Sequence, residues 1–538
     1  MMTTVNGAQL LVRALRDAGV TRLFSLSGNQ ILPVYDACLD EEIDVTDTRH
    51  ESAAAHMADA WAKVRGEPGV CLVTAGPGHT NTVTGIANAM ASETPILWLS
   101  GASEQATVGL GGFQELDQAG VAQPVCKAAW TVERAGDMPA FVARAWRTML
   151  EGRPGPVYLG LPSDVLSETL DDAKTHLQPW TFRPALRFAE PSLIQAAISL
   201  LQGARSPLVL VSPSVARGEA GACLRQFVER TGIPWLALES SRGLADPAFN
   251  GAGAAVARAD VVLLVAPQDY IVRFGREEVF ADNARVIHVA PRSADVGRNA
   301  SVALGLAGDS AAVMTQLADA AMGIRWNHQL WAKDVEALRL SNRQKLEPFA
   351  QSDETPIHPL RLATELRSVL PPRSQIAQDG GEFSQWMRWG LAGAPFTPLL
   401  HGKFGSIGSS IPLAIGAKIA NPDVPTFAIL GDGTFGFHGM EFDTAVRHAI
   451  PFVAIVGNDA AWAAERHRQV RIYGQDRVIA SDLLPTRYDR VVEALGGYGE
   501  HVERAEEIRP AIERALASGK PACVNVMIAS VPSPAALP

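Results

Sequence analysis

Short β-branched apolar runs alternate with helix-length segments along the whole chain. They occupy residues 69–74, 95–100, 157–161, 207–211, 261–265, 286–289, 427–430, 453–456 and 522–526. Runs this apolar offer no polar face to solvent. Each therefore reads as a strand buried on both sides, which requires a parallel sheet covered by helices on both faces. The rhythm breaks twice. Around Ser163 to Pro191 it gives way to a stretch carrying Pro179, Pro184 and Pro191, and from about Ile324 to Pro359 a charged helix runs into a polar, proline-flanked segment. Cutting at these breaks predicts three doubly wound α/β domains, at about 1–165, 190–325 and 355–538, in keeping with a chain of 538 residues. The order of strands within each sheet is not readable from the pattern.

Charge narrows the choice of ligand. The formal net charge is −10, with no block of Lys or Arg, so an electrostatic grip on nucleic acid or an anionic membrane is not expected. No stretch approaches the roughly 20 apolar residues of a membrane helix, and small molecules are the expected partners. Cys38, Cys71, Cys126, Cys223 and Cys523 are scattered singly, mostly in apolar runs, and read as buried thiols of a reducing compartment. The first residues, Met1-Met-Thr-Thr-Val-Asn-Gly7, carry neither a basic nor an apolar leader pattern, so the expected location is cytoplasmic.

Several familiar signatures are missing: there is no Walker A loop and no G-x-S-x-G elbow. Gly251-Ala-Gly253 lacks the third glycine of a dinucleotide fingerprint, and the spacing of His50 and His56 does not put two zinc ligands on one helix face. The informative stretch lies in the third unit. There Phe427-Ala-Ile-Leu-Gly431-Asp432-Gly433-Thr434 precedes an amphipathic helix and then Pro451-Phe-Val-Ala-Ile-Val-Gly-Asn458-Asp459. The spacer suits one βαβ crossover, so both acidic side chains emerge at neighbouring strand C-termini, where open α/β sheets bind ligands. Carboxylates beside small glycines at a helix N-terminus suit a Mg²⁺ ion bridging to a diphosphate; two ordinary polar turns would give the same pattern.

Gly431-Asp432-Gly433 followed by Asn458-Asp459 resembles the thiamine diphosphate motif of the acetolactate synthase, benzaldehyde lyase and 2-hydroxyacyl-CoA lyase superfamily, in which GDG leads to Asn-Asn. Other segments occur in that family's order and at its spacing: Asp47-Thr-Arg-His-Glu51, Thr74-Ala-Gly-Pro77-Gly-His-Thr-Asn81, Phe113-Gln114 with Asp117-Gln118, Asp379-Gly380-Gly381, and Gly405-Ser406-Ile407-Gly408. The resemblance implies pyrimidine-binding, central and diphosphate-binding domains, with thiamine diphosphate and Mg²⁺ as cofactors. It implies that Glu51 bonds the aminopyrimidine ring and promotes loss of the C2 proton, and that Ile407 wedges the two cofactor rings into a V. Asp432 and Asp459 would hold the cation, with the Ala461 carbonyl as a third oxygen. Pro77, Asn81, Gly380, Gly381, Glu382, Gly405, Ser406, Gly433, Thr434 and Trp462 would surround the cofactor.

The resemblance also assigns substrate-side groups. Gln30 stands where benzaldehyde-lyase-like relatives carry a histidine, and a glutamine orients an oxygen without shuttling a proton. Proton transfer would then fall to the cofactor itself or to His401, with Gln114 contacting the intermediate. Asp459 replaces the commoner asparagine. Arg468 stands where acetolactate synthase carries an aromatic, and Ala290-Pro291-Arg292 lacks the aspartate that would bind a nucleotide ribose, so neither FAD nor CoA is expected in the central domain. The implied activity is cleavage or formation of a carbon–carbon bond next to a carbonyl, in a 2-hydroxy ketone, 2-hydroxyacyl compound or 2-keto acid. A pyruvate condensation and a non-catalytic cofactor binder are the alternatives. The implied assembly is a homodimer or homotetramer with sites between subunits.

Overall fold

Every apolar run named above is a strand, and the strands assemble into three parallel sheets with helices on their faces. The computed structural model describes residues 4–172, 182–238, 240, 243–249, 251–265, 279–298, 301–341 and 346–533. Pro179, in the first break of the rhythm, lies outside the described residues.

The first sheet runs, edge to edge, Asp44–Asp47, Arg22–Ser25, Gly69–Val73, Ile96–Ala102, Val157–Pro162 and Ala128–Thr131. The third runs Thr397–Leu400, Gln375–Gln378, Thr426–Gly431, Val453–Asn458, Ala522–Met527 and Tyr498–Val502. Both sheets take the same course: the second strand lies outside the first, the third and fourth follow on its other side, and the sixth inserts before the fifth. The winding therefore reverses between the first and third strands, which opens a crevice at their C-terminal ends. The central sheet, from Trp235–Ala237 through Pro207–Val211, Val261–Val265 and Arg285–Ala290 to Leu304–Ala307, reverses in the same way. A short antiparallel ribbon, Thr4–Asn6 with Thr169–Asp171, ties the start of the chain to the end of the first domain.

The first and third domains share a core. Helix Glu51–Arg65 reads Ser-Ala-Ala-Ala-His-Met-Ala-Asp-Ala, and helix Ser410–Ala420 answers with Ile411, Ala414 and Ala417 in the same apolar cluster. Small side chains let the two backbones approach closely. A Cβ on Gly416 would sit 2.5 Å from the Met57 carbonyl oxygen, so this crossing requires glycine. His50 caps the first helix by accepting the Ser52 backbone N–H, and Gly66, at φ +72°, ends it in the left-handed conformation. Four of the cysteines, Cys38, Cys71, Cys126 and Cys523, are buried thiols, and Cys223 is half-buried. Among the described residues no helix is long and apolar enough to cross a membrane.

Candidate active site

At the switch point of the third sheet lies a cavity of ≈170 Å³, and every residue that lines it falls between Pro359 and Val531. Gly380, Gly381, Glu382, Ile407, Asp432, Gly433, Thr434, Asp459, Ala461 and Trp462 all face it. Asp432 opens a seven-residue helix and accepts the Ala461 amide N–H at 3.2 Å. The observed link from Ala461 to Asp432 thus runs through its N–H. Asp459 is delivered by a tight turn: Asn458 accepts the Ala460 N–H and donates to the Thr486 carbonyl, while Ala460 itself sits at φ +54°.

Burial, with Asp459 nearby, raises the Asp432 pKa to about 7; burial raises that of Asp459 as well. Two carboxylates forced together out of water want a cation. Among the described residues no three His, Cys, Asp or Glu side chains cluster as a metal site, so a metal here would be held by these two carboxylates and oxygens from elsewhere. Glu382 and Glu465 also line the wall, and His467 Nδ1 bonds Glu382 directly. The Trp462 ring packs against Gly433, where a Cβ would meet it at 2.7 Å, in the first turn of that helix.

The wedge candidate is held by one buried aspartate. Asp379 accepts the Gly380 and Gly408 N–H groups, both at 2.8 Å, and the Ser410 hydroxyl at 2.9 Å. Gly405 and Gly408 have φ of +75° and +83°, which gives the turn its shape, and the Ile407 side chain rests on Gly380, where a Cβ would come within 2.7 Å. Ser406 belongs to this turn through its carbonyl, which accepts from Ser409. His401 is buried beside Gly380, with Nδ1 facing the Gln378 carbonyl, and burial lowers its pKa, so the ring is neutral at neutral pH.

The remaining candidates gather at the switch point of the first sheet. Glu51 is buried and its Oε2 accepts from Asn81 Nδ2 at 3.0 Å. Pro77 starts the helix that carries Asn81, and Gly78 packs toward Glu51 Oε1. Gln30 donates to Gln114 Oε1 at 2.9 Å and accepts from Thr74. Gln114, at φ +59°, lies against Gly76, whose N–H is taken by Gln118. None of these first-domain residues lines the cavity at Asp432.

Three residues between the groups escaped sequence reasoning. Ser52, His438 and Glu441 are buried and polar, and they connect the turn before helix Glu51–Arg65 to the third domain. Their partners lie hundreds of residues away, so no local pattern marks them. A second cavity, of ≈580 Å³, lies at the C-terminal edge of the central sheet against the first domain. Lys127, Arg153, Arg187, Arg292 and Arg298 line it together with Glu93, Glu151 and Asp295, and none of the motif residues does.

Comparison with known proteins agrees with the geometry. Residues 5–121 match the thiamine pyrophosphate enzyme N-terminal TPP binding domain, residues 194–317 the central domain, and residues 379–526 the C-terminal TPP binding domain. The chain is 35% identical to a probable acetolactate synthase of Mycobacterium bovis, over 97% of this chain and 96% of that protein. It is 31% identical to human 2-hydroxyacyl-CoA lyase 2, over 97% and 90%, and 30% identical to Escherichia coli oxalyl-CoA decarboxylase, over 97% and 95%. With all three domain families in order and relatives matched along 90–96% of their length, the chain belongs to the thiamine pyrophosphate enzymes and is a thiamine-diphosphate-dependent enzyme.

Proposed function

We propose that this enzyme requires Mg²⁺ as well as thiamine diphosphate and makes or breaks a carbon–carbon bond adjacent to a carbonyl, as a lyase or carboligase. Its substrate would be a 2-hydroxy ketone, 2-hydroxyacyl compound or 2-keto acid. The observation that carries the reading is the convergence of Asp432, Asp459, Gly380 and Ile407 on one cavity at a sheet switch point. Thiamine diphosphate, when bound, supplies the electron sink for such bonds. Asp432 and Asp459 would hold the cation that bridges to the diphosphate, and Gly433 and Thr434, in the first turn of their helix, would receive its oxygens. Ile407 would separate the two rings. Glu51 would hold the proton at the aminopyrimidine, fixed in place by Asn81. His401, buried and neutral, is able to pass a proton to or from substrate oxygen, whereas Gln30 and Gln114 orient it.

A homodimer or larger assembly is part of this reading. Glu51 does not line the Asp432 cavity of its own chain, and in this reading the first domain of one subunit would complete the site against the third domain of another. Exposed Val108, Leu110 and Phe113 in the first domain, and exposed Phe404, Phe437 and Met440 around the wedge turn, supply apolar surface for that contact.

A second reading, condensation of two 2-keto acids, draws on the 35% identity to a probable acetolactate synthase; Arg468 in place of an aromatic speaks against it. Purified protein with thiamine diphosphate and Mg²⁺, assayed against 2-keto acids, 2-hydroxy ketones and 2-hydroxyacyl-CoAs, separates the two. Cleavage or ligation of 2-hydroxy compounds supports the first, acetolactate formation from pyruvate alone the second, and turnover unaffected by EDTA overturns the metal requirement.

A further inference from the structure

His438 closes the short helix that Asp432 opens, and it is buried. Its two ring nitrogens reach two different parts of the molecule. Nδ1 lies 2.6 Å from the Gly408 carbonyl oxygen and Nε2 lies 2.6 Å from the Ser52 hydroxyl. A carbonyl only accepts, so Nδ1 must carry the ring proton. Burial lowers the pKa of His438 below its ordinary value, which leaves the ring neutral and Nε2 free to accept the Ser52 O–H. The Ser52 hydroxyl also lies 2.9 Å from His50 Nδ1, but that nitrogen accepts the Ser52 backbone N–H at 3.1 Å, and the shorter contact assigns the hydroxyl proton to His438. The edges of the His50 and His56 rings close off the same pocket, with ring centres 5.9 and 5.8 Å from that of His438.

Gly408 is thereby gripped at both ends of its peptide plane pair. Its N–H goes to Asp379 and its carbonyl to His438, while Phe437 leaves no room for a Cβ. We propose that His438 is a positioning residue that, through Ser52, ties the turn bearing the Ile407 wedge to the first turn of the helix that Glu51 opens. The inference rests on the reading above, in which Ile407 and Glu51 both bear on thiamine diphosphate. If sites form between chains, the wedge and the glutamate of one chain face different sites, and the tie sets one site relative to the other.

Three variants grade the tie. Ser52→Ala removes the bond to His438 and the hydroxyl's contact with His50, and leaves the bond from His438 to Gly408 in place. His438→Asn keeps a donor for Gly408 but falls short of Ser52, so it should behave like Ser52→Ala. His438→Phe keeps the ring volume and loses both bonds. In cofactor-free protein, amide hydrogen exchange of residues 402–410 should rise about five- to tenfold in the first two variants and further in the third, the scale of one or two lost buried hydrogen bonds. In the loaded protein, exchange of the C2 proton of thiamine diphosphate should slow in the same order, with cofactor affinity within about threefold of wild type. Unchanged amide exchange in Ser52→Ala and His438→Asn overturns the tie, even if His438→Phe fails to fold. Faster amide exchange with wild-type C2 exchange overturns its role in positioning. A wild-type protein that binds thiamine diphosphate but never exchanges its C2 proton overturns the functional reading itself, which is a separate result.

Discussion

The backbone N–H of Arg49 donates to both carboxylate oxygens of Glu441, at 3.0 and 3.2 Å. Two residues before Glu51, the first domain thus hangs on a buried acid of the third. Thr444 donates to the same carboxylate at 2.6 Å. Desolvation outweighs these bonds and raises the Glu441 pKa from 4.5 to about 7. The folded state therefore holds this proton more tightly than the unfolded chain does. Its contribution is favourable at low pH and is lost as pH rises from the unfolded value through about 7.

Glu441→Gln keeps an oxygen for Arg49 and removes the titration. The melting temperature of the cofactor-free variant should vary less between about pH 5 and 7.5 than that of wild type, and should exceed it at the upper end. Scanning calorimetry across that range checks this; parallel curves for the two proteins would rule it out.

How much of this was legible beforehand depends on where each residue makes its contacts. Strands buried on both faces, such as Val261–Val265, announce themselves by composition. Edge strands do not: Asp44–Asp47 and Tyr498–Val502 each turn polar side chains outward and fade into the loops. Gln375–Gln378 is wholly buried yet reads as polar, because Gln375 donates to Thr426 and Gln378 accepts from Arg388 inside the fold. Asp432 and Asp459 were visible because each ends an apolar run. Asp379 is marked by its Asp-Gly-Gly motif, but its hold on Gly408 and Ser410, like the bonds of His438, exists only once the chain has folded.

The cation should govern cofactor binding. Asp432→Ala should weaken thiamine diphosphate binding by more than roughly a hundredfold, beyond what loss of an outer-shell partner costs. Because the Asp432 pKa lies near 7, the cation must displace a proton at acid pH, so affinity should fall as pH drops from about 8 to 6. Calorimetric titration at several pH values, with and without EDTA, measures both effects. Affinity that survives EDTA would contradict the assignment.

Glu51→Gln separates binding from activation. The amide still accepts from Asn81 but cannot hold a proton at the aminopyrimidine. Cofactor affinity should stay within about tenfold of wild type while C2 proton exchange slows by roughly 100- to 10,000-fold, the range for loss of an acid–base group. Exchange followed by NMR at wild-type rate would remove Glu51 from this role.

Assembly provides the last test. The Asp432 cavity is lined only by residues of the third domain, and Glu51, absent from that lining, accepts from Asn81. If a second copy brings its first domain to that cavity, each site draws on two chains. Glu51→Gln and Asp432→Ala subunits are each inactive alone, but a hybrid dimer holds one site with both defects and one with neither. Mixing the two proteins under conditions of subunit exchange should therefore restore activity, approaching about a quarter of wild type, since half the dimers are hybrids and each has one intact site. A site built within one chain would give no recovery in demonstrably mixed oligomers, because every chain would keep its own defect. Light scattering on the same samples reports the assembly, and a fully active monomer would exclude the shared site outright.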